Sequence, residues 1–155
     1  MLRKIFKVEF VWEVMIKIRG HHLSCIPRFY HGGYDKGFAD NMKKIVMRIR
    51  KIPDTKVKLI IGKPDAFCEE CPHLYCGKCV QSVAIGKWVV AQDKKMLKFL
   101  NLKENSIHSA KEVYNLSMEK NNSKTIKEVC KGCIFLNNCI KVGINKSFQK
   151  DLNKW

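Results

Sequence analysis

Two short cysteine-rich segments constrain this chain more than any other feature of its sequence. They are Cys68-Glu-Glu-Cys71-Pro-His-Leu-Tyr-Cys76-Gly-Lys-Cys79 and Cys130-Lys-Gly-Cys133-Ile-Phe-Leu-Asn-Asn-Cys139. Two residues between a pair of cysteines turn the chain so that both sulphurs face one metal ion or one edge of a cluster. Three such pairs in a short chain therefore predict metal binding.

The size of the chain argues against a disulphide framework. With 155 residues, 46% of them hydrophobic, it can bury a core without covalent cross-links. The apolar N-terminal stretch is interrupted by Glu9 and Glu13, no secretory signal is evident, and no uncharged run approaches the ~20 residues of a membrane span. We therefore expect a cytoplasmic protein with reduced thiols and no membrane association. Inert thiols, or disulphides of the kind found in hyperthermophiles, are the alternatives.

Both zinc and an iron–sulphur cluster are compatible with the two segments. Zinc sites are often built from knuckles with glycine at the turn, as in Cys76-Gly-Lys-Cys79 and Cys130-Lys-Gly-Cys133. Iron–sulphur ligands are often followed by proline, as at Cys71-Pro72. Two helices are expected between the segments, and a helical hairpin would return the chain so that both segments share one site.

His21, His22 and Cys25 form a separate candidate site. A thiol beside imidazoles can become a nucleophile or complete a metal shell. A buried thiol with two packing or capping histidines is the simpler interpretation. His73 is expected to hydrogen-bond to a ligand thiolate instead of binding metal itself. The known phosphate-loop and hydrolase motifs are missing from the sequence, so it assigns no reaction and leaves open whether the protein is an enzyme.

The first half of the chain predicts a parallel βαβ unit. Residues 15–19 and 56–61 have strand patterns, and apolar residues from Phe38 to Ile49 recur at the helical spacing between them. A helix of this length can cross over between parallel strands. Residues 6–14 alternate like a further strand. Alternatively, translation starts at Met15 and residues 1–14 are a mis-called extension.

The second half predicts mostly helices, which makes the fold class α+β in a single domain of residues 1–155. Helices are expected over 81–101, with Trp88 and Phe99 in the core, and over 106–119, with Ile107 on the buried face. A short helix capped by Ser123 runs into Cys130. Residues 143–155 form a basic tail.

The net charge of +16 indicates an acidic partner. Of the 30 basic residues, 25 are lysine and 5 arginine, and they are spread along the chain. Base-specific contacts favour arginine. Nucleic acid is therefore one possible partner, and a solvated lysine surface explains the charge equally well.

The motifs together resemble a known family. They are Ile18-Arg-Gly-His-His-Leu-Ser-Cys25, Cys71-Pro-His-Leu74, and Cys130-Lys-Gly-Cys133 with Cys139. They resemble the prokaryotic family known as domain of unknown function 1284, over about residues 16–140. The resemblance implies an iron–sulphur protein with cysteines at the positions of Cys25, Cys68, Cys71, Cys79, Cys130, Cys133 and Cys139. Cys76 is an addition to that pattern, and Ile134 stands where the family often has proline.

We therefore expect a small iron–sulphur protein with a redox or electron-transfer role and a redox partner. Its metal site joins the two segments. The expected ligands of a 4Fe–4S cluster are four of the set Cys68, Cys71, Cys79, Cys130, Cys133 and Cys139. One alternative is a zinc-stabilised basic module that binds nucleic acid, and another is a thiol enzyme that uses Cys25 and a neighbouring histidine.

Overall fold

The computed structural model describes residues 15–30, 32–80 and 83–144. Its strands are β1 (Ile16–Arg19), β2 (Lys56–Ile60), β3 (Leu74–Tyr75), β4 (Lys78–Cys79) and β5 (Ile107–Ser109). Its helices are α1 (Lys36–Lys51), α2 (Val83–Leu100), α3 (Ala110–Lys120), α4 (Ser123–Val129) and α5 (Leu136–Val142). The α+β fold expected from the sequence is confirmed. The strand expected at 6–14 and most of the basic tail lie outside the described residues.

The βαβ unit is confirmed as well. β1 and β2 pair in parallel, with Ile16 opposite Val57. α1 connects them, begins where the Asp35 side chain accepts the N–H of Phe38, and buries the apolar face predicted from its spacing. β5 adds to the other edge of β2 in the antiparallel sense. These elements place the chain segments that follow β1 and β2 at the same end of the parallel pair, where ligands bind in open α/β sheets.

The expectation for residues 106–119 is wrong at its start. Residues 107–109 form β5, and the helix begins only at Ala110, after the Ser109 hydroxyl accepts the N–H of Glu112. Ile107 is 54% exposed, because pairing with β2 turns it away from the core. Phe99 is also exposed, at 41%. The cap of α4 is Asn122, one residue before the expected Ser123.

The core lies between the sheet, α1, α2 and α3. Its fully buried side chains include Ile18, Leu59, Phe67, Met96 and Val113. α2 packs on the 3₁₀ turn Gly20–Ser24 that follows β1. Within the described ranges, no helix is both long and apolar enough to cross a bilayer.

Candidate metal centre

The histidine pair after β1 is held by two buried aspartates from distant parts of the chain. His21 Nδ1 lies 2.6 Å from the carboxylate of Asp93 on α2, and His22 Nδ1 lies 2.7 Å from that of Asp65 after β2. The side chains of both aspartates are fully buried. Each imidazole is thus fixed by one carboxylate, in the arrangement that usually orients a metal-binding histidine.

Further hydrogen bonds keep both aspartates ionised. Asp93 also accepts the backbone N–H groups of His21 and Gly62, at 2.9 and 2.8 Å. Asp65 accepts the backbone N–H of Arg19 at 2.9 Å. Burial by itself would raise the pKa of each carboxyl group, but the histidine bound to each, together with these backbone hydrogen bonds, lowers both below their usual values.

The ionised aspartates determine which histidine nitrogen is available. A carboxylate only accepts hydrogen bonds, so Nδ1 of each ring carries the hydrogen. Nε2 is then the nitrogen with a free lone pair in the neutral ring. Burial, together with the neighbouring His22, lowers the pKa of His21 to about 4. His21 is therefore neutral at pH 7.

Four thiols line one cavity of about 110 Å³. Cys25 comes from the turn after β1, and the others come from the second cysteine segment, at the end of α4, in the following loop and on α5: Cys130, Cys133 and Cys139. Aromatic side chains, including Phe29, Trp88 and Phe135, form much of the remaining wall, together with His21 and His22. The cavity thus gathers cysteines that are more than a hundred residues apart in sequence.

The surroundings of these thiols oppose free thiolates. Burial raises the pKa of Cys130 to about 11, and burial and the other three thiols raise that of Cys25 well above its usual value. A nucleophilic thiol needs the opposite shift. A metal ion or cluster, by contrast, deprotonates coordinating thiols outright.

Positive groups nevertheless face the same sulphurs. Arg28 is buried, and its guanidinium donates to the side chain and backbone carbonyl of Asn121 and, at 3.0 Å, to the carbonyl of Cys139. Its charge acts to lower the pKa values of Cys130 and Cys139. Burial raises the pKa of Cys133, and the nearby backbone of Phe135 and Leu136 acts to lower it. Such donors stabilise sulphur that carries negative charge.

A second cavity of about 120 Å³ adjoins the first. Three cysteines of the first segment line it, namely Cys68, Cys71 and Cys79. His21, His22, Trp88 and Cys133 line both cavities, so the histidine pair stands between them. Cys76 lies at the turn of the β3–β4 hairpin, is exposed, and has a φ of +47°. It lines neither cavity.

The sequence-based hypothesis placed the expected ligands around one shared site, whereas in the structure they line two cavities. The six cysteines of that hypothesis fall around two adjacent cavities, with Cys133 at both. Cys25, expected beside a separate histidine site, joins the second segment. Among residues 15–30, 32–80 and 83–144, no three His, Cys, Asp or Glu side chains are placed to hold a single metal ion.

Sequence reasoning missed Asp65, Asp93 and Arg28. Each acts on a partner 43 or more residues away, and none belongs to a recognisable motif. The only available signal was that Asp65 follows a buried strand, whose carboxyl end is a common place for functional residues. His73 was expected to hydrogen-bond to a ligand thiolate, and this stays a prediction; its ring lines the second cavity and packs edge-on against Tyr34.

The comparisons with known proteins identify a family and nothing beyond it. A family model described as "Protein of unknown function (DUF1284)" matches residues 33–139. This range holds both cysteine segments and both aspartates and leaves out His21, His22 and Cys25. No curated protein and no solved structure matches the chain.

Proposed function

We propose that this chain, which belongs to the DUF1284 family, is an iron–sulphur protein with a redox or electron-transfer role. The ligands that we assign to its 4Fe–4S cluster are Cys25, Cys130, Cys133 and Cys139. This set differs from the sequence-based one by including Cys25 and by drawing all other ligands from the second segment.

The observation that carries the proposal is the common cavity of these four thiols. Its volume of about 110 Å³ is space for a group of several atoms. A single zinc ion, held about 2.3 Å from each sulphur, would need far less space than this cavity provides. The cavity therefore favours a cluster over zinc.

The charges around the cavity fit the same group. A 4Fe–4S cluster with four thiolates carries a net negative charge when bound and supplies one-electron chemistry. Arg28 provides a buried positive charge beside Cys130 and Cys139. The backbone of Phe135 and Leu136 acts to stabilise negative charge on Cys133, and such polar surroundings are one of the means by which proteins set cluster potentials.

Anaerobic purification and reconstitution test the proposal. The reconstituted protein should absorb near about 400 nm and contain iron and acid-labile sulphide in equal amounts. Cys25→Ala should lose about four iron atoms per chain relative to the unaltered protein, whereas Cys76→Ala, altered at the exposed hairpin turn, should lose none. One zinc per chain without sulphide, or full iron content in Cys25→Ala, would contradict it.

A further inference from the structure

We propose that the second cavity holds a second iron–sulphur cluster, with His22 as the one histidine among its ligands. The assigned ligands are Cys68, Cys71, Cys79 and Nε2 of His22. That the group is iron–sulphur rests on the proposed function. The position of the site and the identity of its histidine rest on the contacts described next.

Three thiols around the second cavity call for a fourth ligand. The cavity, at about 120 Å³, has nearly the volume of the first. Its cysteines come from the 3₁₀ turn Ala66–Cys68, the loop after it and β4. Cys133 lines both cavities and is assigned to the cluster of the first.

Asp65 ties His22 to this cysteine set. One of its carboxylate oxygens is 2.7 Å from Nδ1 of His22, and the other is 3.4 Å from Cys68 Sγ. The imidazole of His22 and the thiol of Cys68 are therefore both hydrogen-bonded to the buried carboxylate of Asp65. With Nδ1 turned to Asp65, Nε2 is the ring nitrogen left for the cavity. In the described part of the chain, no hydrogen-bond partner occupies it.

The other two histidines at the cavity fit less well. The ring of His73 packs edge-on against Tyr34, with centroids 4.8 Å apart, and among the described residues no carboxylate orients it. His21 is oriented by Asp93 on α2, which contacts none of the three thiols. His22 alone shares its carboxylate with a cysteine of the set.

A second buried arginine matches the role of Arg28 in the first site. Arg19 lines the second cavity, is 6% exposed, and donates to the carbonyl of Lys63. Each cysteine set thus has its own buried cation. This duplication is expected when each set holds its own anionic cluster.

Metal analysis of paired variants separates the two sites. The reconstituted full-length protein should contain about eight iron atoms, and both Cys68→Ala/Cys71→Ala and Cys130→Ala/Cys133→Ala should retain about half. If Cys68→Ala/Cys71→Ala keeps all the iron of the unaltered protein, the second site is refuted and the first stands. If Cys130→Ala/Cys133→Ala keeps all of it, the proposed function fails in its ligand set and the second site stands.

Nitrogen coupling identifies the histidine. Pulsed EPR of the reduced protein should detect directly bonded nitrogen, and ¹⁵N-labelled histidine should shift the signal. His22→Cys should keep the iron but lose the nitrogen signal, and the matched variant His73→Ala should keep both. Because His22→Cys preserves four ligands, its iron content also reports that the protein has folded. Absence of nitrogen coupling in the unaltered protein, or its persistence in His22→Cys, would overturn the assignment.

Discussion

Two buried carboxylates hold the histidine pair, and that of Asp93 joins the turn after β1 to the segment after β2. Its carboxylate accepts two backbone N–H groups and the ring N–H of His21, and Arg19 lies 3.8 Å away. An asparagine here keeps one acceptor oxygen, but its NH₂ group would face an N–H donor that the second carboxylate oxygen accepts, so at least one buried hydrogen bond is lost. The cost of such a loss in a buried network exceeds that of any exposed ion pair.

Asp93→Asn should therefore lower the free energy of unfolding by about 3 kcal/mol at pH 7, as urea denaturation would measure. Asp40→Asn, which removes an exposed partner of Lys36 on α1, should cost far less. An equal decrease in the free energy of unfolding in the two variants would contradict the stabilising role of the buried Asp93 network.

The same carboxylate contributes to acid sensitivity. The pKa of Asp93 in the folded protein lies below its usual value of 3.8, so the unfolded state binds the proton more readily. Its stabilising effect is complete above pH 3.8 and is lost as the pH falls through the folded-state pKa. Acid titration of stability should consequently be shallower in Asp93→Asn than in the unaltered protein, and an unchanged titration would contradict this.

Arg28 should set the potential of the first cluster. Replacement by methionine removes a buried positive charge beside Cys130 and Cys139, which disfavours the more negative reduced state and lowers the reduction potential. Arg48→Met is the matched control, since Arg48 lies on α1 and lines neither cysteine cavity. Potentiometric titration followed by EPR measures both. An unchanged potential in Arg28→Met would contradict this role.

At the scale of secondary-structure elements, the close packing of the Gly20–Ser24 turn on α2 positions the histidine pair. A Cβ at Gly20 would lie 2.3 Å from the backbone oxygen of Asp93, which is closer than atoms can approach. Gly20→Ala should therefore separate the turn from α2 and destabilise the protein by about 2–3 kcal/mol. Gly86→Ala, on the open side of α2, should stabilise it by about 0.5–1 kcal/mol. Thermal unfolding measures the stability of both variants. Unchanged stability of Gly20→Ala would contradict the close packing of the turn on α2.

We expect α5 to depend on the proposed cluster more than any helix of the core does. It has seven residues and buries no side chain, and a helix of this length is unstable on its own in water. Its hydrogen bonds to distant described residues include that of Arg28 to the carbonyl of Cys139 and that of Asn138 to the hydroxyl of Tyr30 at 3.5 Å, and the proposed metal bond of Cys139 would add to them. Removal of the metal should therefore unfold α5 locally while the βαβ unit stays intact.

Hydrogen–deuterium exchange of the metal-free and reconstituted proteins measures this difference. Amides of residues 136–142 should lose protection without metal, and those of β1 and β2 should keep it. Uniform loss over the whole chain, or unchanged protection of α5, would contradict the local account.

For the molecule as a whole, the sequence predicted what depends on local periodicity. The apolar spacing from Phe38 to Ile49 and the two flanking strands gave the βαβ unit with its parallel pairing. The segment at Ile107 was misassigned because a three-residue strand has too few residues to show its period. The grouping of the cysteines was beyond sequence reasoning. Cys25 and Cys130 line the same cavity because α4 ends close to the turn that follows β1. No spacing rule relates residues so far apart in sequence.

The net charge of +16 should govern electron exchange with partners. The two proposed clusters would reduce this charge only slightly, so the protein should attract anionic acceptors. Re-oxidation of the reduced protein should be faster with ferricyanide than with a cationic acceptor after correction for driving force, and added salt to about 0.5 M should remove most of the difference. Stopped-flow absorbance measures these rates. A preference for the cationic acceptor would contradict it.

The most direct test of the central claim is an anaerobic crystal structure of the reconstituted protein with anomalous diffraction at the iron edge. The account predicts a multi-iron peak bounded by the sulphurs of four residues: Cys25, Cys130, Cys133 and Cys139. A single-ion peak there, or iron bridging Cys68 or Cys71 to Cys130, would contradict it.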